Sequence, residues 1–386
     1  MCRNVALAID FLLIIVYSIR SGCRHLYLER VSFDLKRTIN MMSSATKVKG
    51  QGVGSAYIEQ VNLVTEGLKD KFEVTVNKRV KPDITHYHTI NPGYYLGRKG
   101  RAKYGSSVGY VHMLPETVET SLQLPRFMKK IFYWYMIKFY KGMDYLVTVN
   151  PYFIGRLAHY GVDAGRVTYI PNFVSSEVFH PVSAEEKAAL RRKYGIPEDK
   201  FVVMCAGQLQ VRKGVFDFVE IAKQMPDVQF VWAGGFSFGK ITDGYKEIQE
   251  MSKNPPENLK LLGIVERECM NEIYNIGDVM FLPSYEELFP MTILEAMCAN
   301  VPILLRDLDI YPDILFDFYS RGNNNEEFIA ELSRLRDDKE YYAERAAASK
   351  RGNEFYSREH VKTMWDEFYT MVADNIPEKK LKKKKK

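Results

Sequence analysis

Cysteine, long apolar runs and internal repeats are all scarce in this 386-residue sequence, and each scarcity removes a class of protein. The five cysteines (Cys2, Cys23, Cys205, Cys269, Cys298) show neither the paired spacing of a disulfide framework nor the spacing of metal ligands. Three of them fall in apolar segments, where cysteine serves as a small core residue, and a reducing compartment follows. No apolar run is long enough to span a bilayer. The nearest candidate, Val5 to Ile19, is short for a span and contains Asp10, and no small-residue cleavage site follows it. Residues 1–34 are therefore expected to lie outside the fold, as an extension or at most a weak anchor. No repeat with a period of about 20–50 residues is visible, which excludes solenoids and propellers. A strong charge bias is missing too. The formal net charge is +6, but seven of the 54 basic residues are Lys379, Lys380 and Lys382 to Lys386, and the remaining 47 face 48 acidic ones. The body is close to neutral, with a polybasic tail over 374–386 that is expected not to fold and to sit on a polyanion.

What is present is enough apolar residue, 46%, for two domains with cores of their own. Arg37 to Ser43 reads as a buried strand, followed by Gly50-Gln51-Gly52-Val53-Gly54 and a helical segment, Ser55 to Leu68. Strand, glycine loop and helix form the first unit of a doubly wound α/β domain. Further strands are expected at Phe72 to Val76, Ile84 to His88, Ser107 to His112, Tyr145 to Val149 and Val167 to Ile170. A second series runs through Phe201 to Gly207, Val228 to Ala233, Leu259 to Leu262, Val279 to Leu282 and Pro302 to Leu305. Two successive series predict two Rossmann-like domains, 35–180 and 181–353, facing each other across a cleft. A last long helix is expected over 354–373.

The chemistry concentrates in Glu287-Leu288-Phe289-Pro290-Met291-Thr292-Ile293-Leu294-Glu295. Phe281-Leu282-Pro283-Ser284 reads as a strand end running into a turn, and Glu295-Ala296-Met297 as a helix. One acid is thus expected in the loop and the other about two helical turns of sequence later. The free N–H groups of Met291 and Thr292 would lie between them, at a helix N-terminus that favours phosphate. Such a site suits a ligand that is hydroxyl-rich at both ends and diphosphate in the middle, as a nucleotide sugar is. In Gly207-Gln208-Leu209-Gln210-Val211-Arg212-Lys213-Gly214, a strand end and a Lys-Gly let a cation meet a diphosphate where the backbone comes close. His112 ends an apolar strand, where clefts of α/β domains form. His86 and His88 share one face of another strand and read as acceptor-cleft or structural residues, with no third metal ligand recognisable nearby.

Pro283-Ser284, Glu287-x-Phe289-Pro290, Glu295-Ala296-Met297 and Val301-Pro302 together resemble the donor signature of the retaining glycosyltransferases of family 4. The span from about Arg37 to Val372 resembles that family's two-domain GT-B fold, which implies that the C-terminal helix 354–373 crosses back to the first domain. The resemblance implies that Glu287 approaches the transferred sugar and Glu295 the ribose hydroxyls, with Phe289, Pro290, Met291 and Thr292 lining the donor between them. It implies that Lys213 grips the diphosphate. Gln208 stands where the family has Arg, so Arg212 is expected to supply the lost charge. Gly52 and Gly54 would approach the donor phosphates from the other side, His112 would contact the transferred sugar, and Gly263 and Val265 would hold the nucleobase by their backbone. Leu288 and Asn300 stand where the family usually has Gly, and Leu288 puts a side chain near the sugar. There is no cofactor in this reading, and no Asp-x-Asp motif stands at the donor site to require a metal.

Ser43 to Ala56, His88 to Pro92, His112 to Thr117 and Pro171-Asn172-Phe173-Val174 narrow the resemblance to the Gram-positive bacterial enzymes that add a second hexose to α-monoglucosyldiacylglycerol. The implied donor is UDP-galactose or UDP-glucose, and the implied acceptor is a glucosyldiacylglycerol-type lipid. A family 4 enzyme with a soluble polysaccharide or protein acceptor is the alternative. Arg126 to Lys141 has five cations, seven aromatics and no acid, an interfacial composition that fits an anionic membrane surface as well as a core helix with snorkelling lysines. No nucleic-acid-binding module is visible. The expected location is cytoplasmic, peripheral on the inner face of the cell membrane.

Overall fold

Twelve short strands, the central ones mostly apolar, build two all-parallel sheets in a computed structural model that describes residues 36–45, 52–116, 125–236, 242–287 and 289–384. The N-terminal extension 1–34, Leu288, and Lys385 and Lys386 lie outside the described residues. The first sheet comprises β1 (Arg37–Met42), β2 (Phe72–Val76), β3 (Ile84–Tyr87), β4 (Ser106–Val111), β5 (Tyr145–Thr148) and β6 (Val167–Tyr169), in the order β2-β1-β3-β4-β5-β6. The second comprises β7 (Val202–Ala206), β8 (Gln229–Ala233), β9 (Leu259–Gly263), β10 (Val279–Leu282), β11 (Ile303–Arg306) and β12 (Ser320–Gly322), in the order β12-β11-β10-β7-β8-β9. Central strands such as β4, β7 and β10 are buried along their whole length, because helices cover both faces of a parallel sheet. In each sheet the order reverses once, between β1 and β3 and between β7 and β10, and the strand ends there diverge into a crevice.

The C-terminal helix returns to the first sheet. Arg358–Asp374 buries Trp365, Phe368, Tyr369 and Val372. Tyr369 Oη stands 2.7 Å from His86 Nδ1 and accepts from Gln60 Nε2 at 3.1 Å. The helix expected from about Glu354 begins only at Arg358, because Glu354 and Phe355 end the preceding helix. Lys339–Phe355 packs on the Met291–Cys298 helix of the second half, and the chain then turns at Tyr356 and Ser357, where Ser357 has extended backbone. Tyr356 explains the break: it is buried in the second half, with its ring 5.0 Å from that of Phe289 and its hydroxyl on the Ile314 carbonyl.

The polybasic tail departs from expectation. Glu378–Lys384 is helical and docks on the first half. Lys384 Nζ reaches Asp83 Oδ2 at 2.8 Å and Thr38 Oγ1 at 2.9 Å, and Lys380 Nζ donates to the Gly105 carbonyl at 3.0 Å. A buried carboxylate thus captures a lysine that composition alone marks as solvated. No helix among the described residues is long and apolar enough to cross a membrane.

Candidate active site

The reversal point of the second sheet gathers the acidic and basic residues singled out above. From β10 the chain passes through Pro283 and Ser284 to Glu287, and the helix Met291–Cys298 starts after Pro290. From neighbouring β7 it passes through Gly207 to the turn Arg212-Lys213-Gly214. Backbone contacts stitch the two loops together. Tyr285 N donates to the Arg212 carbonyl at 2.8 Å. Gly214 adopts φ +71°, and a Cβ there would come within 2.3 Å of the Pro283 carbonyl oxygen, so only glycine allows this approach. Arg306 fastens the loop from below, donating to the Pro283 carbonyl at 3.1 Å and to Asp217 at 2.8 Å.

This stitching places Lys213 Nζ on Glu287 Oε1, with both side chains buried. Arg212 Nη1 stands 3.8 Å from the other Glu287 oxygen and donates to the Glu286 carbonyl at 2.9 Å. Burial alone would raise the Glu287 pKa. Lys213, then Arg212, outweigh it and hold the carboxyl below its usual range. Glu295, just over one turn into the following helix, is also buried. It accepts from Tyr274 Oη at 2.5 Å and from Arg267 Nη1 at 3.2 Å, yet burial still raises its pKa. Between the two acids, Phe289 and Met291 face the core, Asn172 Nδ2 donates to the Phe289 carbonyl at 3.2 Å, and Thr292 Oγ1 is enclosed without a protein partner. By position, the first N–H groups of the helix have no intrahelical acceptor. Two cations, an acid on either side and open helix N–H groups make a site for an anion flanked by hydroxyls.

The remaining predicted residues lie on three other elements. Gly263 ends β9 at φ +69°, with nothing within 4 Å of where a Cβ would be, and its carbonyl accepts from Gly234 N at 2.7 Å. Val265 packs against the core just beyond it. Gly52 and Gly54 open the helix Gly52–Gly67 of the first half, where a Cβ on Gly54 would touch the Ala45 carbonyl at 3.4 Å. His112 lies elsewhere, just after β4 in the first half, in a cavity of about 250 Å³ that it lines with Ser44, His88, Thr89, Asn91 and Tyr140. The His112 ring stacks on Tyr110 at 4.1 Å, and its Nε2 is enclosed without a protein partner. Although the residue is only partly covered, burial of the ring pushes its pKa down to about 3. His86 and His88, 4.2 Å apart, continue the same aromatic stack, and burial holds both well below the usual histidine value. Among the described residues no group of three His, Cys, Asp or Glu side chains is set to share a metal ion.

Three contacting residues carried no signal in the sequence. Tyr274 and Arg267 hold Glu295, and Glu59 meets Arg267 from the first half at 2.6 Å. Tyr274 and Arg267 lie in an ordinary amphipathic segment. Only the topology brings them to the site.

Comparison with known proteins covers both halves. Residues 186–353 match the family described as Glycosyl transferases group 1, and residues 73–178 match Glycosyltransferase Family 4. The α-galactosylglucosyldiacylglycerol synthase of Streptococcus pneumoniae is 45% identical over 338 residues, 88% of this chain and 90% of that protein. The processive diacylglycerol α-glucosyltransferase of Acholeplasma laidlawii is 28% identical over 73% of this chain and 82% of its own length. Among solved structures, Anabaena HepE in complex with UDP and glucose has a TM-score of 0.69 at 14% identity, covering 87% of this chain and all of that one. Sucrose-phosphate synthase from Thermosynechococcus elongatus has a TM-score of 0.71 at 15% identity, with 87% and 99% covered. At such identities the structural likeness speaks for the fold, which is GT-B.

Proposed function

The chain belongs to the family 4 glycosyltransferases, and we propose that it transfers a hexose, with retention, from a UDP-sugar to the glucosyl head of α-monoglucosyldiacylglycerol. The near full-length identity with the pneumococcal synthase supports this acceptor, and that relative's name favours UDP-galactose over UDP-glucose. The observation that carries the donor half is the convergence of Lys213 and Arg212 on Glu287 beside a helix N-terminus.

Lys213, with the N–H groups of Met291 and Thr292, takes the diphosphate. Charge that develops on the leaving oxygen then meets fixed donors and needs little reorganisation. Arg212 supplies a second cation. Glu287 is freed from Lys213 as the phosphate arrives and accepts hydroxyls of the hexose. Glu295 accepts the ribose hydroxyls, and the backbone at Gly263 and Val265 borders the base. No second carboxylate pair of the glycosidase kind is invoked. The leaving diphosphate oxygen itself takes the proton of the incoming hydroxyl, on the face where the sugar departs. His112, kept neutral by burial, offers a hydrogen bond to the far side of the hexose. Protein groups meet the charge at every step, so no divalent ion is needed.

The acceptor is presented from a membrane surface, so the protein works peripherally on the cytoplasmic face. Support comes from the helix Arg126–Lys141, which buries Met136, Phe139 and Tyr140 and leaves Phe127, Ile131 and Trp134 more than 60% exposed beside its lysines. The test is incubation of the purified protein with labelled UDP-galactose or UDP-glucose and vesicles carrying glucosyldiacylglycerol, with the product identified. The expected result is a diglycosyl lipid with an α-linkage. Transfer to water-soluble saccharides with none to lipid would reject the acceptor, and a β-linked product would reject retention.

A further inference from the structure

One guanidinium joins carboxylates from the two halves of the molecule. Arg267, in the turn after β9, donates from Nη1 to Glu295 at 3.2 Å and from Nη2 to Glu59 at 2.6 Å. Glu59 lies on the Gly52–Gly67 helix, 208 positions away in sequence, and its side chain is only 10% exposed. The guanidinium carbon sits 5.4 Å from the Phe179 ring centre, which limits its freedom further. Holding two buried carboxylates on one arginine is a costly arrangement. It leaves each acid with half a partner, and burial raises the pKa of both.

The geometry explains what the arrangement achieves. An ionised carboxylate offers about four acceptor positions, roughly two on each oxygen. Tyr274 occupies one on Oε2 of Glu295 and Arg267 one on Oε1. One acceptor position then remains on each oxygen, enough for the two neighbouring hydroxyls of a ribose. The other arm of the guanidinium reaches the helix that begins at Gly52. Glu59 is five residues beyond Gly54, about 7.5 Å along the helix axis. A helix shifts as a body over such a distance, so the position of Glu59 sets that of the glycine turn.

We propose that Arg267 is a positioning residue for the nucleotide sugar: it aims Glu295 at the ribose and, through Glu59, couples that alignment to the glycine-bearing helix on the opposite wall. The inference rests on the reading of Glu295 as the ribose contact. Ribose binding at Glu295 and the placement of Gly52 and Gly54 are then one event. A nucleotide held on one half draws the other half into register before chemistry.

A purely structural ion pair would affect melting and leave nucleotide affinity alone, so affinity decides. UDP is titrated calorimetrically into the full chain carrying Arg267→Gln, Arg267→Lys, Glu59→Gln, the double change Glu59→Gln with Arg267→Gln, and Glu295→Gln as reference. Steady-state kinetics with the UDP-hexose run alongside. Loss of one charged contact to the ribose-binding acid should weaken UDP by about tenfold in Arg267→Gln, with KM rising in proportion and kcat changing less than about twofold. Arg267→Lys should recover part of the affinity. Glu59→Gln, which touches no nucleotide, should still weaken UDP about three- to fivefold, and the double variant should bind no worse than Arg267→Gln alone. Should Arg267→Gln fail to fold, the Glu59→Gln arm decides. Unchanged UDP affinity in Glu59→Gln, or additive losses in the double variant, would overturn the coupling. Unchanged affinity in Glu295→Gln would instead remove the ribose reading on which the proposal stands.

Discussion

Glu287 and Lys213 stand 74 positions apart and meet in a buried contact. Removing either one strands the other's charge away from water. Glu287→Ala and Lys213→Ala should therefore each destabilise the fold by about 3–5 kcal/mol, whereas the volume-matched pair Glu287→Leu with Lys213→Met should be close to neutral. Urea unfolding of the three variants checks this, and a double variant as unstable as the summed singles would show that the pair is not coupled. Transfer should be lost in all three. Arg212→Ala should cost less, because its contact with Glu287 is the longer one. The histidines add a pH dependence. His86, His88 and His112 stay neutral in the fold, with His112 titrating near pH 3, while in the unfolded chain they protonate near 6.5. Below about pH 6.5 the unfolded state binds more protons, so stability falls as pH drops toward 3 and is unaffected by these groups above 6.5. His88→Phe should flatten that slope in unfolding midpoints measured between pH 7 and 5; an unchanged slope would place the acid sensitivity elsewhere. Much at this scale was legible, because Glu287, Glu295 and Lys213 sit in short motifs with their own local logic. That Glu287 rests on Lys213 was not, since a contact across 74 positions leaves no trace in either segment.

At the scale of elements, strands were the most readable, because a parallel strand buried on both faces must be apolar throughout. β12 escaped notice for the converse reason: Ser320-Arg321-Gly322 is a three-residue edge strand with no apolar pattern. The tail was misread because composition cannot report that Asp83 waits 301 positions upstream of Lys384. Its capture changes what membrane binding should depend on. Lys380 and Lys384 are committed to the first half, so the helix Arg126–Lys141 should dominate. Phe127, Ile131 and Trp134 recur on one side at helical spacing, and Lys138 lies 4.3 Å from the Trp134 ring centre. Replacing the three apolar residues by Ser should release the protein from anionic vesicles at low and high salt alike, since their burial is apolar. Neutralising Lys130 and Lys138 should weaken binding mainly at low salt, where screening is long-ranged. Deleting Lys379 to Lys386 should lower the melting temperature more than it lowers vesicle binding. Sedimentation with vesicles separates these cases. Full retention of the Ser variant on vesicles would send the membrane contact to another surface.

At the scale of the molecule, two sheets that could each hold a core are bound into one unit by the last long helix. Trp365 and Tyr369 lie in the first half, against His86, Tyr110 and Phe72, although the preceding helix belongs to the second. Sequence periodicity showed the helix. Its partner, the first domain, came from the family resemblance, because an apolar stripe alone does not say which of two sheets it covers. The crossing has an energetic consequence. Burying a Trp is worth about 3–5 kcal/mol when it is cut back to Ala, and here that stabilisation belongs to the first sheet alone. Tyr369→Phe removes a hydroxyl shared by His86 and Gln60, leaving two enclosed polar groups unpaired at about 1–3 kcal/mol. Trp365→Ala should therefore lower the unfolding temperature of the first half and leave the second almost unchanged. Calorimetry should show one transition in the parent chain and two in the variant, the earlier one removed from the second-half core. Limited proteolysis of the variant at an intermediate temperature should cut within residues 37–180 first. A single transition shifted as a whole would mean that the halves are coupled chiefly through the cleft contacts around Arg267, and the helix would then be a passenger on that coupling.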